Sequence, residues 1–201
     1  MYLIAITGGT GCGKSTIVKK IIKGFYNDTI SYLSQDSYYK DNSNLSFKQR
    51  DQLNYDNPDA LDFDLFYSHL KDLKNGKSID RPNYSFEDHL RKDDTTLIKA
   101  QKILIIEGIL ILSDKRISDI VNLSIYIEVK KEIREERRIL RDIKQRARKK
   151  KDIIKLFKEV LHPMHEKYVS CVKTECDFIL DNNNPDSNCD KFIIDLIKKN
   201  I

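Results

Sequence analysis

The chain has 201 residues, 40% of them apolar and 33% charged, with a net charge of +5. Such a composition suits a soluble globular domain long enough to bury a full core, and no stretch approaches the roughly 20 apolar residues that a membrane-spanning helix needs. Residues 130–151 carry twelve Lys and Arg against four Asp and Glu, a local +8 that leaves the rest of the chain at −3; this is one basic segment on a near-neutral body, not a nucleic-acid coat.

In chain order, strands are predicted over 2–7, 30–34, 103–107, 123–129 and 177–181, and helices over 14–24, 62–75, 114–121, 131–147, 152–169 and 187–199. Strand-length apolar runs alternating with helical periodicity predict an α/β fold, a doubly wound parallel sheet with helices on both faces. Ile103-Leu104-Ile105-Ile106 is continuously apolar, as in a strand buried on both sides. Residues 78–100, with Arg81-Pro82, Tyr84, Phe86 and Thr95-Thr96-Leu97, predict a small β-hairpin excursion. The chain is therefore expected to be a single domain, 1–201, with that hairpin and a basic helical lid over 130–151. Cys12, Cys171, Cys176 and Cys189 lack paired C-x-x-C spacing, so neither a disulfide framework nor a zinc site is expected. The first strand starts too early to leave room for a signal peptide, and a cytoplasmic location is expected.

The most informative segment is Gly8-Gly9-Thr10-Gly11-Cys12-Gly13-Lys14-Ser15, followed by Thr16. It is a Gly-x-x-x-x-Gly-Lys-Ser phosphate loop between a strand and a helix. Glycines let the backbone turn its N–H groups around phosphate oxygens, and the helix N-terminus adds positive potential. Lys14 would reach the β- and γ-phosphates, and Ser15 would hold Mg²⁺. Asp36 follows the second strand, where ligands gather in an open parallel sheet. It can take a proton from an attacking hydroxyl, or simply cap a short helix. Glu107 ends the buried strand 103–107 and can hold Mg²⁺ directly or through water.

Further along, Asn54-Tyr55-Asp56-Asn57-Pro58-Asp59 crowds carboxylates and an aromatic into one loop. Tyr84, Phe86, His89 and Arg91 suit stacking on a planar base with polar reading of its edge, although hairpin packing explains the first two equally well. Arg138, Arg141 and Arg148 fall three or seven residues apart, so one helix face can present several guanidiniums to a triphosphate.

Together these segments resemble the uridine kinase (uridine–cytidine kinase) family in its bacterial form, from about residue 3 to about residue 181. The resemblance rests on the phosphate loop, Gln35-Asp36-Ser37-Tyr38-Tyr39, Asn54–Ala60, Pro82–Phe86 with His89 and Arg91, Glu107–Leu110, and Arg137-Arg138-Ile139-Leu140-Arg141-Asp142. It implies transfer of the γ-phosphate of ATP or GTP, with Mg²⁺, to the 5′-hydroxyl of uridine or cytidine. Asp36 would be the general base, with Lys14, Ser15 and Glu107 at the phosphates and metal. Tyr39, Tyr55 and Asp56 would line the nucleoside site, Asp56 on the ribose. Tyr84, Phe86 and His89 would enclose the base, and Arg138, Arg141, Arg146 and Arg148 would come from the lid. The family also implies a homotetramer inhibited by CTP or UTP. Nucleic-acid and membrane partners are not expected.

This sequence departs from the family pattern at Gln145-Arg146-Ala147-Arg148, where Glu-Arg-Gly-Arg is usual, and at Glu128–Glu132. Leu156 stands where a Gln normally faces the nucleoside. The rival readings are a sister kinase of the phosphoribulokinase or pantothenate kinase type, and a non-catalytic nucleotide sensor that binds nucleic acid through residues 130–151.

Overall fold

The computed structural model describes residues 1–25, 29–146, 149–184 and 186–200. In chain order the elements are β1 (Tyr2–Thr7), α1 (Lys14–Lys23), β2 (Ile30–Ser34), α2 (Phe47–Asp51), α3 (Phe63–Lys74), β3 (Ile79–Ser85), β4 (Leu90–Ile98), β5 (Ile103–Glu107), α4 (Lys115–Ser118), β6 (Leu123–Glu128), α5 (Lys131–Arg146), α6 (Lys150–Leu156), α7 (His162–Met164), β7 (Phe178–Asp181) and α8 (Cys189–Asn200). Short 3₁₀ turns cover Gln35–Tyr38, Pro58–Ala60 and Lys173–Glu175.

Five strands form a parallel sheet in the order β2-β5-β1-β6-β7. β1 lies in the middle, so the chain leaves it in one direction toward β2 and later returns on its other side to β6. The crevice outside its carboxyl end is the place where ligands bind in such sheets. Register sharpens this: Glu107 of β5 is level with Ile6 of β1 and Ser34 of β2. The loops that follow these three strands therefore start side by side.

One face of the sheet packs Ile4, Ile6, Ile103, Ile105, Ile125 and Ile127 against Ile17, Val18 and Ile21 of α1 and Ile193 and Ile197 of α8. The other packs Leu3, Ala5, Leu104 and Ile106 against Phe66, Leu70 and Leu73 of α3. Neighbouring residues of β1 and β5 point to opposite cores, and this explains the unbroken apolar runs. β3 and β4 pair antiparallel as a separate hairpin, with a register shift between Pro82 and Tyr84.

From Lys150 to Val169 the chain is one helical run, interrupted by two wide (π) turns at Phe157–Leu161 and His165–Val169. Pro163 sits between them and donates no N–H, so the regular ladder cannot pass through it. The helix predicted over 114–121 is a single turn, Lys115–Ser118. Asn122 already joins the sheet, its N–H on Leu3 O and its Oδ1 on the Leu3 N–H, and the chain must leave the helix to get there. Among the described residues no helix is long and apolar enough to cross a membrane.

Candidate active site

At the end of β1 the backbone turns sharply past β6. Gly8 has φ +138°, and a Cβ there would lie 2.5 Å from Ile127 O; glycine is required by both conformation and space. Gly13, at φ 96°, precedes α1 without any side-chain cap, which leaves the first-turn N–H groups facing the loop interior. Lys14 is buried, and its Nζ donates to Gly8 O at 2.8 Å and Gly9 O at 3.2 Å. The ammonium thus spans the mouth of the loop. Cys12 is fully buried, a core residue.

The Ser15 hydroxyl donates to Glu107 Oε1 at 3.2 Å, and the same oxygen accepts from Tyr32 OH at 3.0 Å and Ser34 Oγ at 3.1 Å. Burial pushes the Glu107 carboxyl upward, with Lys14 pulling it back down. Ser15, Glu107 and Asp36 all border the same cavity. They offer only oxygen donors, and few of them, which fits Mg²⁺: it keeps waters and shares its shell with substrate phosphates. Among the described residues there is no cluster of three or more His, Cys, Asp or Glu that would suit a dedicated cage.

Asp36 is the second residue of the 3₁₀ turn after β2. The cap of that turn is Ser34, whose Oγ accepts from the Asp36 N–H at 3.3 Å, so the capping reading fails and the Asp36 carboxylate borders the cavity instead. Opposite stands an aromatic wall. Tyr39 is buried, with ring centroids 5.1 Å from Tyr55 and 5.0 Å from Tyr84. Tyr55 stacks on His89 at 5.0 Å and 15°, and Tyr84 meets Phe86 edge-on at 5.5 Å. Arg91 fastens the hairpin to this wall through Tyr39 O at 2.7 Å and Asp62 at 3.0 Å. Burial raises the Asp56 carboxyl, while the Arg138 charge opposes the shift.

The basic helix α5 faces inward. Asp142 is fully buried; it accepts from Arg138 Nε at 2.6 Å and from Arg141 Nε at 3.1 Å. Arg138 also donates to Thr10 Oγ1 of the phosphate loop at 2.6 Å. Arg137 donates to Asn182 O and Asn183 O. Arg134 donates to Val129 O at 3.1 Å, and with His165 it presses against Gly9. Burial, with Arg134 alongside, pulls the His165 imidazole down to about 3.

These groups surround one cavity of 420 Å³. Every sequence-derived site residue among the described ones lines it except Gly8, Gly9 and Cys12, which shape the loop from behind, and Arg91, which is turned to Tyr39 O and Asp62 instead; Leu156 lines it too. Arg148 lies outside the described residues, as does the Arg146 side chain. Sequence reasoning missed the positions of Asp142, Arg134 and Arg50, since nothing local marks a charged side chain as inward-facing.

The profile of the phosphoribulokinase/uridine kinase family matches residues 3–187. The chain belongs to that family. It is 44% identical over 194 residues to a uridine kinase of Clostridium perfringens, covering 96% of this chain and 91% of the relative. It is 41% identical over 199 residues to a uridine kinase of Clostridium novyi, covering 99% and 94%. Among solved structures, a candidate fructose transport system kinase from Silicibacter sp. superposes with a TM-score of 0.71 at 19% identity, over 89% of this chain and 88% of that one. D-glycerate 3-kinase from Cryptococcus neoformans does so with a TM-score of 0.65 at 12% identity, over 90% and 86%. These two likenesses concern the fold, a parallel sheet with flanking helices built around a phosphate loop.

Proposed function

We propose that this member of the phosphoribulokinase/uridine kinase family is a pyrimidine ribonucleoside kinase, moving the γ-phosphate of ATP or GTP to the 5′-hydroxyl of uridine or cytidine. The observation that carries the reading is that Asp36 borders one cavity with the phosphate loop on one side and an aromatic wall on the other. Sugar-phosphate or pantothenate acceptors would give that wall no flat ring to hold.

The residues divide the work as follows. Loop amides and Lys14 hold the donor phosphates. Arg138 and Arg141, aimed by Asp142, neutralise charge that builds on the transferring group. Asp56 accepts hydrogen bonds from the ribose hydroxyls, and Tyr84, Phe86 and His89 enclose the base. Asp36 takes the proton of the 5′-hydroxyl as its oxygen bonds to the γ-phosphorus and the β–γ bridging bond breaks. The nucleoside monophosphate and nucleoside diphosphate then leave, and the proton remains on Asp36 until solvent takes it. Ser15 and Glu107 would hold Mg²⁺, which supplies charge neutralisation and orientation of the phosphates when bound. The remaining parts of the reading, a cytoplasmic homotetramer, rest on family resemblance and are checked by fractionation and light scattering.

A nucleotide sensor that binds nucleic acid through residues 130–151 is disfavoured. Arg134, Arg137 and Arg138 are engaged by the protein itself, and Arg134 and Arg138 are buried. The test is a coupled ADP-release assay across uridine, cytidine, adenosine, ribulose 5-phosphate and pantothenate. Turnover confined to the two pyrimidine nucleosides is expected; preference for any other acceptor would overturn the reading.

A further inference from the structure

Behind the nucleoside wall lies a charged residue that no sequence motif marks and that does not itself line the cavity. Arg50 sits in the five-residue helix α2, which is fixed by a capping box between Ser46 and Gln49. Only 9% of Arg50 is exposed. Its Nε donates to Asp88 O at 3.0 Å, its NH1 donates to Leu45 O, and its own carbonyl accepts from Tyr55 OH at 3.0 Å. The Arg50 side chain thus joins the start of the loop to the tip of the hairpin, while its main-chain carbonyl, held in place with it, takes the Tyr55 hydroxyl of the aromatic wall.

The hairpin tip needs such a tie. His89 has φ 54°, the positive φ of a non-glycine residue among those described. An L side chain adopts that region at a cost and holds it only where its surroundings enforce it. The enforcing contacts come from one small region: Arg50 on the carbonyl just before His89, Asp51 at 3.5 Å from His89 Nε2, and the Tyr55 ring stacked on the imidazole. His89 and Tyr55 both face the cavity.

We propose that Arg50 is a specificity-positioning residue: by fixing the hairpin tip and Tyr55 together, it sets the slot that accepts a pyrimidine and rejects a purine. The proposal rests on the nucleoside kinase reading. A planar guanidinium reaches two carbonyls at once, which an ammonium on a flexible stem does not reproduce.

Arg50→Gln and Arg50→Lys test it, in steady-state kinetics with uridine and adenosine and in amide hydrogen exchange of the enzyme without substrates. In both variants KM for uridine should rise about tenfold, the scale of one lost buried charged hydrogen bond, and uridine-over-adenosine preference should fall by a similar factor. The value of kcat should stay within about twofold and KM for ATP should not move, because the Arg50 side chain bonds Leu45 O and Asp88 O and not the phosphate loop. Exchange should quicken at residues 86–90 and stay unchanged at residues 8–15. Unchanged KM and base preference would overturn the proposal, whether or not exchange quickens. So would a fall of kcat and Tm together with a rise of both KM values, which marks a general loss of structure; the lysine variant is included because it perturbs packing least. If the parent enzyme turns over no nucleoside, the nucleoside kinase reading falls as well. If the parent does and the variants match it, only this proposal falls.

Discussion

The two ends of the cavity are built by different means. The donor end is backbone: three consecutive strand ends in register, a loop whose glycines allow close approach, and a helix N-terminus. The acceptor end is side chain: rings from residues 39, 55, 84 and 89, brought together by a 3₁₀ turn, a loop and a hairpin far apart in sequence. On the nucleoside kinase reading, backbone amides aimed at phosphate would serve any nucleotide and concentrate chemistry at the first end. An assembled aromatic wall can be re-cut by small shifts and would concentrate selectivity at the other.

Four variants press on that division, in order of expected effect. Lys14→Ala removes the ammonium that spans the loop mouth; kcat should fall by about 10³-fold or more, the upper scale for losing one electrostatic stabiliser. Rapid-quench turnover near that of the parent would show that the loop is not the donor site. Asp36→Asn should lower kcat by about 10²-fold with uridine affinity nearly intact, as for loss of a general base; isothermal titration with uridine separates the two quantities, and normal turnover refutes the role. Asp56→Ala should act on the acceptor end alone, lowering kcat/KM for uridine by about 1–3 kcal/mol while leaving deoxyuridine nearly unchanged. Equal uridine-to-deoxyuridine ratios in parent and variant would remove Asp56 from the sugar site.

The smallest effect concerns stability. Folding takes the His165 imidazole from its ordinary 6.5 down to about 3. Between those values the unfolded chain binds a proton that the folded protein refuses, so stability is full above about pH 6.5 and is lost as the pH falls. By pH 5.5 the loss is on the order of 1 kcal/mol. His165→Phe should flatten this part of the acid dependence, read as the difference in Tm between pH 7.5 and 5.5. An equally steep dependence in the variant would mean that the buried imidazole is not its source.

What the sequence disclosed follows the same division. Lys14, Ser15, Asp36 and Glu107 were legible because chain order and strand ends place them, and the strands fall within a residue or so of expectation. Tyr84 and Phe86 could be noticed but not assigned, since stacking on a ligand and packing in a hairpin use the same residues. The spacing of Arg138 and Arg141 gave a shared helix face, but not what holds it: the inward turn of α5 depends on Asn182 O, Val129 O and Thr10 Oγ1, acceptors that only tertiary structure brings near. Helix 114–121 was overextended because Ile120 and Val121 continue an apolar pattern while Asn122 is already tied to β1.

The wide turns around Pro163 have a geometric outcome of their own. Ile153, Phe157, Leu161, His165 and Val169 are all buried, a repeat of four along the run. A regular helix advances 100° per residue, so a strict four-residue repeat would drift by about 160° over that distance and swing its last members into water. Wide turns take more residues per revolution and cancel the drift. The seam therefore stays in phase from the cavity wall at Leu161 to the loop-facing His165 and on to Val169. Removing one residue from Phe157–Leu161 would rotate everything beyond it by about 100°, and a change made at the substrate wall would be felt beneath the phosphate loop.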